Sequence, residues 1–424
     1  MSFLSIKEVA SLLNLTIKAT RRFVASGELP SVKQGGVYKI AEEDVERFKN
    51  STLSSIQVGV DLFGAPIYSL PKRNYAAERS DLLENDVVNW GDISSYWDAP
   101  HPSEKTFVDL FCGAGGLSKG FELAGLEGIC GLDWFEEAGQ TYCRNFSHPF
   151  VNGDIKQTEI KDLFYETVEK KLNGRRLDVV AGGFPCQGFS MAGNRIVDDP
   201  RNSLYRELIE IVKRLQPEFV VCENVQGLRS MLNGLVEKKI RDDLRSIGYE
   251  TNVAVLYAVD YYVPQKRERV IFIGNRIGAT NYHPKPILKP NEYVTTGEAI
   301  GDLMNRCEDS AFNHVPTKHR PDMVERMATL KEGESLYSGY SDAWKKCPWN
   351  EPSCTIKENH GGVNVHPRLP RVLTAREMAR LQSFPDDFIF MGPKNKQLVQ
   401  IGNAVPPLLG KAIGLAVRYS CGDL

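Results

Sequence analysis

Lys105-Thr106-Phe107-Val108-Asp109-Leu110-Phe111-Cys112-Gly113-Ala114-Gly115-Gly116 is the stretch on which the fold turns. Thr106 to Phe111 reads as a short apolar strand, and the glycines after it make a tight turn into a helix near Ser118 to Ala124. Outward from there, strands and helices alternate. Glu127 to Leu132 is a strand and Glu136 to Phe146 a helix. Leu177 to Ala181, Phe219 to Cys222 and Val270 to Ile273 are buried strands, with helices near Leu204 to Leu215 and Leu232 to Ile247 between them. That order predicts an α/β fold, a doubly wound and mostly parallel sheet, whose ligands sit at the carboxyl ends of the strands.

Several residues are predicted to face that edge. Gly113 and Gly115 let a ligand approach the backbone at a helix N-terminus. A dinucleotide fingerprint would want a third glycine at position 118, where Ser118 stands. Asp133 ends the next strand and is placed to accept ribose hydroxyls, and Trp134 offers a face for an adenine ring. Asp154 and Ile155 follow Gly153 at the end of a third strand, where a carboxylate can accept from an adenine amino group. Strand-end turns without any ligand would look similar one at a time. Three in succession, with no phosphate-binding basic residues, favour a nucleoside cofactor over a dinucleotide.

Gly182-Gly183-Phe184-Pro185-Cys186-Gln187-Gly188-Phe189-Ser190 follows a strand and puts a thiol on a rigid turn at the same edge. A thiol there becomes a nucleophile where the local field favours thiolate. Glu223 emerges from the next strand, where burial could keep it protonated to donate to a ring nitrogen. Gln265, Arg267 and Arg269 alternate at period two and are expected to share one face. There the guanidinium groups would bind a base oxygen or a phosphate and raise the thiolate fraction of Cys186. A solvated salt-bridging strand is the plainer alternative.

These motifs, with Arg371-x-Leu373-Thr374-x-Arg376-Glu377 and Gln400-Ile401-Gly402-Asn403-Ala404-Val405-Pro406-Pro407, resemble the ordered motifs of the C5-cytosine-specific DNA methyltransferases over about residues 105–274 and 366–418. The resemblance implies an S-adenosyl-L-methionine-dependent methyltransferase fold. Phe111, Asp133, Trp134, Asp154 and Ile155 would surround the cofactor, with Gly113, Gly115 and Pro185 beside them, and Asn403 and Val405 would complete the cleft. Cys186 would be the nucleophile. Glu223 would contact N3 and the amino group of cytosine, Arg269 its O2, and Arg267 would assist. Gln187, Ser190 and Gln265 would touch DNA. Many relatives carry Glu where this chain has Asp133; a carboxylate remains. The implied partner is double-stranded DNA, bound by a monomer, with a restriction endonuclease as a functional partner. A tRNA cytosine methyltransferase and a DNA-binding regulator with an inert methyltransferase fold are the alternatives.

Residues 1–50 resemble the winged helix-turn-helix of excisionase and MerR-like DNA binders. Ser5 can cap a first helix, Thr16 and Ser26 flank a second carrying Arg21 and Arg22, and Gly35-Gly36 makes a hairpin turn. The segment carries 8 basic and 6 acidic residues, a modest +2, so a docking module without DNA contact is the alternative. Residues 51–104 read as a linker packing partly on the next domain. Residues 105–274 and 371–424 form the catalytic domain. Residues 275–370, rich in Pro, Gly, His and Trp, fall where the family keeps a small target recognition domain, and their shortness fits one target sequence.

Composition bounds the rest. The 424 residues suggest two or three domains, and the net charge of −2 does not advertise nucleic-acid binding. No apolar run reaches the roughly 20 residues of a membrane span, and the first residues lack a signal-peptide pattern. Nine cysteines, no two spaced Cys-x-x-Cys, argue for a reducing cytoplasm and against a disulfide scaffold or a zinc site. No metal ligand set is expected.

Overall fold

A computed structural model of the chain describes residues 3–13, 20, 24, 29–34, 37–51, 58–60, 66–68, 88–98, 102–185, 203–337, 344–357 and 363–424. The chain divides into two compact units, Met1–Asp86 and Val87–Leu424. The expected boundaries at 50 and 104 differ from that division.

In the first unit, strand Phe3–Ser5 leads into helix Ile6–Leu12. The helix start is closed reciprocally. The Ser5 amide and hydroxyl donate to Glu8 Oε2 at 2.8 and 2.7 Å, and the Glu8 amide donates to Ser5 Oγ at 3.4 Å. Such a capping box satisfies amides the helix itself leaves unpaired. Strands Val32–Gln34 and Val37–Ala41 pair antiparallel around Gly35-Gly36, and Phe3–Ser5 adds to the second of them. Helix Glu42–Ser51 follows. Val9, Leu13, Val24, Leu29, Ile40, Val45 and Phe48 form its core. Arg21, Arg22, Thr16 and Ser26 lie outside the described residues.

The second unit is built on seven strands: β1 Thr106–Leu110, β2 Glu127–Asp133, β3 Phe150–Asn152, β4 Val179–Gly182, β5 Phe219–Val225, β6 Glu250–Tyr257 and β7 Glu268–Asn275. Their order in the sheet is β6-β7-β5-β4-β1-β2-β3. β1 to β5 are parallel, and β7 runs antiparallel to both β5 and β6. The winding reverses between β1 and β4, which opens a crevice at their carboxyl ends.

The helices that pack on the sheet or close the cleft are α1 Gly116–Leu123, α2 Glu136–Asn145, α3 Thr158–Leu172, α4 Ser203–Leu215, α5 Leu235–Ser246, α6 Ala375–Leu381, α7 Lys394–Asn403 and α8 Pro407–Ser420. The strands bury both faces and so read as continuous apolar runs. Val108, Val180, Val220 and Phe272 meet α3, α4 and α5 on one face. Phe107, Val179, Val221 and Ile271 meet α1 and α8 on the other. α8 lies against α1 at a point where two glycines touch. A Cβ on Gly120 would stand 2.5 Å from Gly410 Cα.

Residues 88–98 belong to this unit. Asn89–Gly91 pairs with Tyr282–Pro284, and Ile93 and Trp97 enter the core beside α1 and α8. The region read as a recognition domain shares one hydrophobic cluster with the return segment and the glycine turn. Ile300, Met327, Cys347, Ile356 and Val365 pack with Met378, Phe384 and Ile401, and with Cys112 and Ala114. Among the described residues no helix is long and apolar enough to cross a membrane.

Candidate active site

A cleft of about 1270 Å³ opens at the carboxyl ends of β1, β2, β4 and β5. That exceeds what one drug-sized ligand fills, and leaves room for a nucleoside and a base together. Its walls come from distant parts of the chain: Phe111 and Asp133 from the first half, Glu223 and Arg269 from the middle, Asn403 and Val405 from near the end.

One side of the cleft is built by the turn after β1. Phe111 sits at φ 58°, Gly113 at 53° and Gly115 at 90°, so the backbone here occupies the left-handed region that glycine tolerates best. Phe111 accepts that strain without being glycine. A Cβ at Gly113 would meet nothing within 4 Å, so its bare backbone looks onto open cleft. A Cβ at Gly116 would stand 2.1 Å from the Val405 carbonyl, which is how closely the return segment approaches.

Asp133 holds this turn together. Its Oδ2 accepts the Gly113 amide and its Oδ1 the Phe135 amide, each at 2.8 Å. Burial, partly offset by those amides, leaves its carboxyl above the usual range. Each oxygen keeps a further lone pair for a ligand hydroxyl. Trp134 beside it is 74% exposed, a large indole face left against the cleft. Asp154 is exposed, with Oδ1 accepting the Lys156 amide at 3.0 Å, while Ile155 is buried. An acidic hydroxyl acceptor, an open glycine and an exposed indole together fit a nucleoside.

Asp109, which sequence reasoning left out, lies at the cleft floor, fully buried. Burial pushes its carboxyl up to about 7. Ser118 Oγ donates to it at 2.6 Å and contacts Tyr142 Oη at 2.9 Å, and that hydroxyl meets His148 Nε2 at 2.7 Å. The residue that breaks the dinucleotide fingerprint is therefore a ligand of this network. A carboxylate inside an otherwise apolar strand was the signal that could have found it.

The other side of the cleft is built by β4, β5 and β7. Glu223 and Arg269 are diagonal neighbours on one face of the β5–β7 pair, because Glu223 lies opposite Ile271 and Arg269 opposite Val225. Arg269 Nε binds Glu223 Oε1 at 2.7 Å, with both side chains 12% exposed. Arg269 Nη1 also donates to the Glu268 carbonyl at 2.7 Å. Glu223 leans over the turn after β4, since a Cβ on Gly183 would be 3.0 Å from Oε2. Asn224, also missed, ties strand to turn. Its Nδ2 donates to the Phe184 carbonyl at 2.8 Å and its Oδ1 accepts the Val225 amide at 2.9 Å. Pro185 lines the cleft and is exposed. Cys186, Gln187 and Ser190 lie outside the described residues.

Two expectations are corrected. Gln265, expected to touch DNA, has no exposed surface to offer it. It is fully buried, donating from Nε2 to Leu381 O and Gln382 Oε1 and accepting the Ile356 amide on Oε1. Arg267 touches the cleft wall but its guanidinium is committed elsewhere, to the carbonyls of Ile356 at 3.1 Å, Gly402 at 3.3 Å and Ala404 at 3.0 Å. Burial lowers its pKa. It fastens the return segment to the sheet and is a positioning residue. The cause is that β7 begins only at Glu268. Gln265 and Arg267 precede the strand and meet each other, Arg267 Nη1 donating to Gln265 Oε1 at 3.5 Å, while Arg269 turns to Glu223. Among the described residues no group of three or more His, Cys, Asp or Glu side chains could hold a metal ion.

Comparison with known proteins extends these observations. A family model described as C-5 cytosine-specific DNA methylase matches residues 105–418, and one described as a helix-turn-helix domain matches residues 3–52. The chain is 39% identical over 327 residues to Type II methyltransferase M1.HphI of Haemophilus parahaemolyticus, covering 74% of this chain and 86% of that one. It is 29% identical to Type II methyltransferase M.Eco47II of Escherichia coli over 98% of this chain and 95% of the relative, so that alignment takes in the first unit as well. A solved structure of a DNA modification methyltransferase encoded within a prophage of E. coli superposes with a TM-score of 0.61 at 27% identity, covering 75% of this chain and all of that one.

Proposed function

The chain belongs to the C-5 cytosine-specific DNA methylases, and from that premise we propose how its residues carry the reaction. The observation that bears most weight is the Glu223–Arg269 pair at 2.7 Å, set over Gly183, three positions before Cys186. It puts an acid and a fixed guanidinium beside the turn that carries the thiol.

The substrate is a cytosine in a duplex sequence, swung out of the stack because its C5 and C6 cannot be reached inside it. Cys186 adds as thiolate to C6, and the ring electrons move toward N3. With cytosine bound, Glu223 takes up a proton on Oε2 and donates it to N3, while the exocyclic amino group donates to the same carboxyl, and this relieves the charge that develops on the ring. Arg269 holds Glu223 through Nε and turns its remaining donors to O2. S-adenosyl-L-methionine, when bound, supplies an electrophilic methyl group for C5. Asp133 would hold its ribose hydroxyls, Trp134 its adenine face and Gly113 the backbone approach, with Phe111, Gly115, Asp154, Ile155, Pro185, Asn403 and Val405 around them. Water or hydroxide admitted to the cleft then takes the C5 proton, N3 returns its proton to Glu223, and Cys186 leaves C6 as thiolate, which restores the aromatic ring.

Residues of about 275–370 would choose the target sequence, and Gln187 and Ser190 would touch DNA near the flipped base. The helix-turn-helix module would bind DNA separately through Arg21 and Arg22. The enzyme would act as a cytoplasmic monomer on DNA, as the modification partner of a restriction endonuclease; its Type II relatives support that reading.

The deciding experiment uses duplex DNA carrying 5-fluorocytosine at the target. Fluorine cannot leave as a proton, so the protein should remain covalently joined to DNA through denaturing electrophoresis. Cys186→Ser should lose that adduct and still bind the cofactor. Methylation by Cys186→Ala at the wild-type rate would overturn the mechanism. Methyl transfer to tRNA with none to duplex DNA would overturn the substrate.

A further inference from the structure

We propose that Cys347 and Cys354 form a peroxide-oxidisable thiol pair that closes a reversible disulfide, a modification site independent of the methylation chemistry. Their sulfurs are 3.7 Å apart across seven positions of chain. A disulfide needs about 2.05 Å, so closure asks the sulfurs to move roughly 1.7 Å toward each other.

The backbone holds the two residues in place. The Cys347 amide donates to the Val365 carbonyl at 3.0 Å. Next to Cys354, the Ser353 amide donates to the Pro264 carbonyl at 3.0 Å, and its own carbonyl accepts the Lys266 amide at 2.8 Å. Both ends of the segment are thus pinned to neighbouring backbone, which keeps the sulfurs from drifting apart. The surroundings also give the two thiols different parts. Cys347 is fully buried, and its hydrogen bond with Cys354, together with burial, keeps it a thiol. Cys354 is only partly buried and accepts a hydrogen bond from Asn364 Nδ2 at 3.1 Å. A donor of that kind favours negative charge on the acceptor sulfur.

The chemistry then has a direction. Hydrogen peroxide meets Cys354 first. The sulfur attacks one peroxide oxygen, the O–O bond breaks, and sulfenic acid and one water form once the proton is counted. Cys347 sulfur displaces the sulfenic hydroxyl, giving the disulfide and a second water. Two thiols and one peroxide become one disulfide and two waters. A dithiol reductant reverses the reaction by exchange.

Trypsin provides a clean test, because Lys346 and Lys357 bracket both cysteines in one peptide, residues 347–357. The full-length protein is treated with graded hydrogen peroxide, quenched with catalase, unfolded, alkylated with iodoacetamide and digested. Cys143 and Cys307, both exposed, serve as internal standards. The 347–357 peptide should lose both alkyl groups and appear about 2 Da lighter than the reduced peptide, reflecting two lost hydrogens. This should occur at a peroxide dose where Cys143 and Cys307 still alkylate fully, and dithiothreitol should restore both labels. In Cys347→Ser, dimedone should capture a sulfenic acid on Cys354. The proposal is overturned if both cysteines of the peptide still alkylate at a dose that has oxidised Cys143 and Cys307. It is equally overturned if Cys347 is the sulfur that dimedone finds in Cys354→Ser while Cys354 stays unmodified in Cys347→Ser. Because the readout is a peptide mass, it stands apart from any loss of activity through Cys186.

Discussion

Glu223→Gln keeps the shape of the side chain and removes its charge, which makes it the sharpest probe of the acid–guanidinium pair. Breaking a buried ion pair costs roughly 3–5 kcal/mol when a charge is left without a partner. Here the amide carbonyl still accepts from Arg269 Nε, Arg269 keeps its bond to the Glu268 carbonyl, and each side chain is 12% exposed. The stability loss should therefore be nearer about 1–2 kcal/mol. The catalytic loss should be larger. An amide can give N3 a weaker hydrogen bond but not relieve developing charge as an acid does. Loss of such a contact at the reacting centre costs about 10²–10³ in rate, or roughly 2.7–4 kcal/mol. Urea unfolding reports the first quantity and single-turnover methyl transfer with saturating cofactor reports the second. A variant that transfers methyl within threefold of wild type would refute the role given to Glu223. A rate loss matched by an equally large stability loss would reduce the pair to scaffolding.

Asp109 predicts a pH signature. Its folded-state pKa is raised to about 7 by burial, so the folded state holds a proton there that the unfolded chain has released above about pH 4. The stability this confers is present at low pH and is lost as pH rises toward 7. Asp109→Asn should thus gain on wild type across that interval, by on the order of 1 kcal/mol per pH unit; a pH-independent difference in urea midpoint would contradict it. Arg267→Lys removes most of the bonds to three carbonyls and should cost about 3 kcal/mol of stability. Full stability with lost activity would return Arg267 to the chemistry. Asp133→Ala should weaken S-adenosylmethionine binding at least about tenfold by titration calorimetry, since it deletes a ligand acceptor and frees the glycine turn; unchanged affinity would move the cofactor elsewhere. Deleting residues 1–50 should spare methyl transfer and abolish a second, separable DNA-binding activity in gel shifts, and retention of that activity would assign it to the second unit.

The strand-turn-helix around Gly113, the strand ending at Asp133 and the emergence of Glu223 over Gly183 after β4 were all legible. Each depends on local pattern, an apolar run followed by residues with special backbone freedom. What stayed hidden was nonlocal. Glu250–Tyr257 escaped notice because an edge strand mixes polar and apolar residues, and nothing in its neighbourhood announces that β7 will run antiparallel beside it. Helix Thr158–Leu172 is charged enough on its outer face to blur its apolar stripe of Phe164, Val168 and Leu172. The burial of Gln265 and Arg267 depends on carbonyls as far as 137 positions away. Period-two spacing told of a shared direction but not of what waited there. Arg269 was read as a ligand of the base, and its ion pair with Glu223, which leaves other donors for that base, was not foreseen.

The contact of α1 with the chain entering α8 also sets a timetable for the protein's making. Gly116 and Val405 touch, yet 289 positions separate them. At roughly 5–20 residues per second, synthesis takes about 15–60 s to pass from one to the other. Through that interval the floor of the cleft exists without its last wall. Leu117 and Phe121 of α1 have no Leu409 or Ile413 to cover them. A nascent chain stalled short of α8 would carry this greasy stripe uncovered, a natural target for chaperones and proteases. The cleft is thereby left incomplete until α8 has been made.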